Sequence, residues 1–242
     1  MDRRKFLFLS GMFCLTPAFG DMTNDIKVKD IKTFYSLYFR LKRVEHIVGY
    51  KNFNIINFDE VLKVGENYSK VGKFTKEELD FVEYLFFTPA DKFNFYGKRT
   101  VHSLNNKINK KDIISIPHTG HFVYRGESLK VYDKMIKDIG DIYLTSGIRN
   151  VPKQLKLYLS KIDRCHLNIS EASFSIAPPG YSYHTISDFD VGKKGWGLKN
   201  FSSAFAKTKE FYEIKHLNYV SFRYRKYNNY GVRFEPWHIK VI

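Results

Sequence analysis

Cysteine is almost absent from this 242-residue chain, and a disulfide framework is absent with it. Only Cys14 and Cys165 are present. Cys14 falls in an N-terminal apolar stretch expected to be removed. A lone Cys165 then allows no internal bridge and reads as a partly buried structural thiol, although His166 follows it directly. Long hydrophobic runs are missing too. The most apolar segment, Phe6–Phe19, holds 14 residues and is broken by Pro17. A membrane-spanning helix needs about 20. Acidic side chains are in deficit: 25 Asp and Glu face 40 Lys and Arg, a net charge of +15. The lysines are scattered and no run of five or six basic residues occurs, so a dedicated nucleic-acid module is not expected. No internal repeat or low-complexity linker is visible.

What is present begins with the N-terminus. Arg3, Arg4 and Lys5 precede the apolar run, and Ala18-Phe19-Gly20 places small residues at the −3 and −1 positions of a cleavage site. This predicts a secretory signal peptide over residues 1–20, with a twin-arginine character in Arg3-Arg4. The mature protein would be exported, periplasmic or otherwise outside the cytoplasm, with no stable membrane anchor. Hydrophobic residues at 43% and charged residues at 27% describe a folded remainder.

Residues 21–111 read as a helical region. Ile31, Tyr35, Tyr38, Leu41 and Val44 recur at helical spacing over Asp30 to Val48, and Thr75…Glu78 is a capping box opening a helix to Phe87. From Asp112 the pattern becomes mixed. Ile113–Tyr124 is apolar and partly β-branched, interrupted by Pro117 and Gly120. Helices are expected from Ser128 to Ile139, from Asn150 to about Ile162 and from Asn200 to about Lys215. Strands are expected over Asp141–Thr145, Ser173–Ala177, Ile186–Val191, Tyr219–Tyr224 and Val232–Val241. Without a regular βαβ repeat, this predicts an α+β fold with an antiparallel sheet and flanking helices over residues 112–242.

Three segments in that second region concentrate chemistry. Ser182-Tyr183-His184 leads into Asp188 and Asp190, whose alternation places both carboxylates on one strand face. Glu235-Pro236-Trp237-His238 closes the chain, and a turn at Pro236 would bring Glu235 and His238 to one centre. Ser146-Gly147-Ile148-Arg149, with Gln154 five residues on, puts a guanidinium after a strand and before a helix. Imidazole nitrogens with a carboxylate oxygen are zinc ligands, and three of them leave a position open for catalysis. A neighbouring Glu suits a general base, and an Arg suits oxyanion stabilisation. His118 and His121 lack a carboxylate beside them and read as cleft-lining or structural.

The order SG-x-R-x4-Q, S-x-H…D and E-x-W-H resembles the VanY-like D-alanyl-D-alanine carboxypeptidases. These are zinc peptidases related to the D-alanyl-D-alanine dipeptidases and, in fold, to the hedgehog signalling domain. The resemblance spans roughly Ile114 to Ile242. It implies that His184, Asp190 and His238 hold Zn2+, that Glu235 activates the attacking water, and that Arg149 stabilises the oxyanion. It also implies that Ser182 and Gln154 support a peptidoglycan stem peptide. The family usually has six residues between its first His and the Asp, and here there are five, which leaves Asp190 and Asp188 as alternatives; Asp190 is preferred because Asp190-Val191-Gly192 aligns best with the family's apolar stretch after the ligand. A dipeptidase, an endopeptidase or a non-catalytic wall-binding protein would share this framework.

Overall fold

The structure, a computed structural model, describes residues 28–241. The signal peptide expected over residues 1–20 lies outside them. Among the described residues no helix is long and apolar enough to cross a membrane.

The helical region begins with α1 (Ile31–Val48), capped by the Asp30 side chain on the Thr33 amide. A single turn follows as α2 (Tyr50–Phe53), then α3 (Phe58–Asn67) and α4 (Lys76–Phe87). Both of the latter start with complete capping boxes, Asn57 with Glu60 and Thr75 with Glu78. Each box satisfies two backbone donors that a helix start leaves open. The Asn57 box marks a helix that hydrophobic periodicity alone had not separated.

The mixed region opens with a hairpin, β1 (Ile113–Ile116) against β2 (His121–Tyr124), whose turn contains the predicted Pro117 and Gly120. Helix α5 (Glu127–Ile139) stops at Gly140, which takes φ +79°, a conformation that glycine adopts without penalty. Then come β3 (Ile142–Ser146), α6 (Val151–Arg164, capped by Asn150) and α7 (Ile169–Ser173). Next is β4 (Phe189–Lys193), followed by α8 (Lys209–Lys215), β5 (Ser221–Phe222) and β6 (His238–Lys240). The last four strands in sequence, β3 to β6, make one antiparallel sheet in the order β3-β4-β6-β5. The chain is therefore α+β, with an antiparallel sheet and flanking helices, as its pattern predicts.

Four local expectations are corrected. Ser128 does not cap α5. Gly126 holds that position, and the Ser128 hydroxyl donates to the Ser187 carbonyl instead. Ser173–Ala177 is not a strand. Asn168 caps α7, which runs to Ser173, and the Ser173 hydroxyl bonds back to Ile169 within that helix. No helix spans Asn200–Lys215. Two 3-10 turns precede α8, because the Asn200 side chain brackets both the amide and the carbonyl of Lys193. A side chain committed to a neighbouring strand competes with helix formation. The strand expected at Ile186 begins only at Phe189, so Asp188 precedes it.

Two cores hold these elements. One packs the sheet against α5 and α8 through Met135, Leu144, Phe189, Val191, Ile214 and Ile239. The other joins α1, α3 and α4 to α6 through Phe34, Leu37, Leu41, Leu85, Leu155 and Ile162. Cys165 is fully buried in this second core, deeper than expected. Helix α6 thus has one face in the helical region's core, and its N-terminal end follows β3 along the chain. Asn150 fastens that end: its amide nitrogen Nδ2 donates to the carbonyls of Ile56 and Asn106, and its backbone N–H donates to that of Asn54.

Candidate metal centre

Sheet register builds the centre. Asp190 on β4 pairs directly with His238 on β6 and with Ser146 on β3. The register slips between Leu144 and Ser146, an irregularity of the kind that re-aims side chains at sites. Pro236 and Trp237 form a turn closed by the His238 N–H on the Glu235 carbonyl, at 3.2 Å. Glu235 and His238 therefore reach the same place, as the spacing implies.

His184 comes from a 3-10 turn, Tyr183–Thr185, in the loop before β4. Tyr124 pins this turn by donating to the Thr185 carbonyl, and the Thr185 hydroxyl donates to the Arg149 carbonyl. The imidazole Nδ1 donates to the Gly147 carbonyl at 2.9 Å, which sets the tautomer and leaves the Nε2 lone pair facing inward. Gly147 can be nothing else: a Cβ there would lie 1.9 Å from the Phe122 carbonyl oxygen.

Three ligand atoms, one each from His184, Asp190 and His238, all lie within 4.8 Å of one another, and all three residues are buried. Asp190 Oδ1 stands 3.3 Å from His184 Nε2 and 3.2 Å from His238 Nδ1. His184 Nε2 and Asp190 Oδ1 have no hydrogen-bond partner. Buried polar atoms are rarely left so, since each forfeits its hydration. Two imidazoles and a carboxylate converge here, with the His184 and Asp190 atoms left unsatisfied, and this donor set fits a divalent cation of the zinc type. No other group of His, Cys, Asp or Glu among the described residues has this geometry.

The outer atoms of each ligand are held. Arg149 donates to Asp190 Oδ2 at 2.5 Å and to the Ser146 hydroxyl at 2.7 Å. Asp188 accepts from His238 Nε2 at 3.0 Å, on the side of the ring opposite Asp190. Its other contacts are the Val241 N–H at 3.0 Å and the Arg223 guanidinium, which stacks on the Tyr183 ring. Asp188 and Asp190 thus clasp one imidazole from both sides. Asp190 faces the centre, and Asp188, lying before the strand, orients His238 from behind.

Electrostatics follow from burial and these neighbours. Burial and the Arg149 cation push His184 down to about 4, so it is neutral near pH 7. Burial alone would also lower His238, but Asp188 and Asp190 overcome it and hold the imidazole at about 9. Glu235 is buried, and the loss of hydration pushes its carboxyl up to about 7, against the pull of His238 and Arg233. Its Oε2 lies 3.7 Å from His238 Nδ1.

The centre opens into a cleft of about 360 Å³. Arg149, Gln154, Ser182 and Glu235 all line it, together with Tyr50 from α2. Gln154 donates to the Ala177 carbonyl through Nε2, while its buried Oε1 has no partner. His121 is buried and meets the Tyr50 hydroxyl at 3.2 Å, a structural contact, whereas His118 sits exposed on the hairpin turn. Sequence reasoning missed Arg223 and Tyr50, and it named Gly147 within the Ser146–Arg149 motif without the role of its carbonyl. A backbone carbonyl leaves no residue-type signal, and Arg223 and Tyr50 lie in segments that carry no motif. Asp188 was visible as a second carboxylate, but its side of the imidazole was not.

Residues 127–242 match the family model for VanY, D-alanyl-D-alanine carboxypeptidase. Comparison with curated proteins gives no match. Three solved structures are similar at low identity. The LdcB LD-carboxypeptidase is 18% identical over 56% of this chain and 70% of its own, with a TM-score of 0.47. A variant of the vancomycin-resistance D,D-pentapeptidase VanY, in complex with Zn(II), is 18% identical over 53% and 77%, with a TM-score of 0.40. VanYB in complex with D-alanine-D-alanine is 20% identical over 54% and 76%, also at 0.40.

Proposed function

We propose that this protein is a zinc-dependent D,D-carboxypeptidase of peptidoglycan stem peptides, starting from the match of residues 127–242 to the family model for VanY, D-alanyl-D-alanine carboxypeptidase. The observation that carries the reading is the convergence of three buried ligand atoms beside a further carboxylate, Glu235, in an open cleft. A wall-binding protein needs the metal for stability but has no use for a buried base.

In this reading His184, Asp190 and His238 hold Zn2+. When bound, the ion supplies Lewis acidity toward the scissile carbonyl and acidifies water. Glu235 takes the proton of the attacking water and returns it to the leaving D-alanine amine. Its raised carboxyl suits both halves of that task, because a base near the working pH both accepts and releases a proton. Arg149 keeps Asp190 anionic and turned inward, and its charge stabilises the tetrahedral oxyanion. Ser182 and Gln154 support the substrate, with the unpartnered Gln154 Oε1 an acceptor for a peptide N–H.

Export through the signal at residues 1–20 is part of the same proposal, since the substrate lies outside the cytoplasm. The test uses the chain from Asp21 onward, zinc-loaded, on a pentapeptide ending in D-Ala-D-Ala. One zinc per chain and release of terminal D-alanine, with zinc kept but release lost in Glu235→Ala, is the expected result. Zinc binding with no D-alanine released, but internal cross-links cut, would replace the reading with an endopeptidase.

A further inference from the structure

The helical region reaches the metal cleft at one point. Among the described residues that line the cleft, Tyr50 alone comes from residues 21–111. Helix α1 ends at Gly49, which takes φ +83° and ψ 147°, a conformation close to glycine alone. This break turns the chain into the single turn of α2 and delivers Tyr50 at its first position. The Tyr50 side chain is half exposed, at 49%, yet it is held on three sides. Lys153, itself paired with Glu45, places its ammonium 4.0 Å from the ring centroid. Gly120 passes so close that a Cβ there would meet the ring at 3.2 Å. His121 meets the ring edge-on, and its Nε2 lies 3.2 Å from the hydroxyl. Asn54 fixes the frame: its Nδ2 donates to the Gly120 carbonyl, and its own carbonyl accepts from the Asn150 N–H. An exposed side chain tethered in this way has little rotamer freedom left to lose when a ligand arrives.

The hydroxyl also lies toward the metal. Strand β2 runs beside the Ser146–Arg149 segment, where the Ile148 N–H donates to the Phe122 carbonyl at 2.8 Å, one residue from His121. Burial raises the Tyr50 phenol, and the Arg149 charge opposes it. Burial and the same Arg149 charge hold His121 down to about 4. Both side chains are therefore neutral near pH 7, and both lie in the field of Arg149. A phenol has one proton to donate and lone pairs to accept with. A neutral imidazole engages it through Nε2 in only one of these roles. The other role stays open to the cleft.

We infer that Tyr50 is a substrate-binding residue, its hydroxyl hydrogen-bonding the backbone of the peptide in the cleft, with His121 as the positioning residue behind it. Both lie outside the family-matched residues 127–242, so the helical region adds a specificity contact that the matched segment does not carry. The inference rests on the carboxypeptidase reading for the identity of the peptide, but the contact is measured by binding as well as by turnover.

The experiment compares wild-type and Tyr50→Phe protein, both zinc-loaded, because phenylalanine keeps the ring and removes only the hydroxyl. KM for a pentapeptide ending in D-Ala-D-Ala is expected to rise about 3–10-fold with kcat held, the loss of one neutral hydrogen bond. A fluorescent form of the peptide should bind Glu235→Ala/Tyr50→Phe protein weaker than Glu235→Ala protein by the same factor, read by anisotropy. Zinc content and melting temperature should stay as in the wild type. Adding His121→Gln to Tyr50→Phe should raise KM no further, because His121 acts through the hydroxyl. A further rise in a folded protein removes His121 from the inference. Unchanged KM and binding in Tyr50→Phe overturn it altogether. So does loss of zinc, which would make Tyr50 a support of the metal centre. If the wild-type protein releases no D-alanine while the hydroxyl still contributes that factor to binding, the carboxypeptidase reading fails and the Tyr50 contact stands. A peptide that binds neither protein overturns both.

Discussion

Two buried carboxylates, one in each region of the molecule, show what separates its scaffold from its site. Glu78, in the helical region, accepts from the Ser36 hydroxyl, the Arg40 Nε and the Thr75 amide. Both of its oxygens are used. Asp190, on the central strand, is as deeply buried and also faces an arginine, yet one oxygen is left without a partner, 3.3 Å from an imidazole nitrogen in the same condition. The first arrangement completes a helix cap and ties α1 to α4. The second is incomplete as protein and would be completed by a cation. An unsatisfied buried pair is costly, and folds retain it where function requires it.

The largest effects should come from the chemistry itself. Glu235→Ala should retain zinc and lower D-alanine release by roughly 10²–10⁴-fold, the range for a removed general base. If turnover persists within tenfold, Glu235 is not the base. Next, the two carboxylates should separate cleanly. Asp190→Asn should abolish stoichiometric zinc binding, measured by metal content after dialysis. Glu78→Ala should leave zinc untouched but cost roughly 1–3 kcal/mol in chemical denaturation, since the half-buried Arg40 loses its carboxylate and keeps only the Val71 and Gly72 carbonyls. If both variants lost zinc equally, the contrast between scaffold and site would collapse.

Removing the partner behind His238 should have an intermediate effect. Asp188→Asn is expected to weaken zinc affinity about 10–100-fold in chelator competition, as outer partners of ligating imidazoles do. If Asp188 were itself the ligand, binding would be lost outright, and Asp190→Asn would retain it.

The pH response sharpens the comparison further. In the metal-free protein His238 is raised from 6.5 to about 9 by its two aspartates, so its contribution to stability is full below about 6.5 and is lost as pH rises through 9. Asp188 is lowered from 3.8 to about 2, and its contribution is lost only as pH falls through that range. The melting temperature of metal-free protein should therefore decline between about pH 6.5 and 9. Zinc-loaded protein should not show this decline, because the ligand imidazole is already neutral. Near pH 7, zinc binding should release about one proton from His238, seen as buffer-dependent heat in calorimetry. Zinc binding with no proton release would mean that His238 is already neutral in the metal-free site. The smallest effect should be that of Ser182→Ala, a few-fold rise in KM for the pentapeptide, since its buried side chain lines the cleft without holding the metal.

Much of this was written in the sequence wherever a residue acts on its own neighbours. The helix caps at Asp30, Thr75 and Asn150 are local contacts within three residues, so residue type and spacing determine them. The same holds for the Glu235–His238 turn, which needs only Pro236 and a backbone bond. The candidate ligands were also legible as residue types in order: two imidazoles, two carboxylates, a guanidinium and a glutamate. Local reasoning failed where a side chain was claimed by something distant. Asn200 gives up a helix to hold Lys193, and Ser128 leaves the cap of α5 to hold the loop at Ser187.

What only the tertiary structure decided is which atom of each candidate points where. Asp190 lies on β4 and Asp188 in the loop just before it. The antiparallel pairing of β4 with β6 inserts His238 between them, giving one aspartate the ring's inner nitrogen and the other its outer one. The tautomer of His184 depends on a carbonyl 37 residues away, and the inward turn of Asp190 depends on an arginine 41 residues away. Residue type determines what chemistry a side chain can do and is fixed along the chain. Whether its lone pair meets a partner, a metal or nothing is set by pairings distant in sequence, which form only when the sheet and helices close around it.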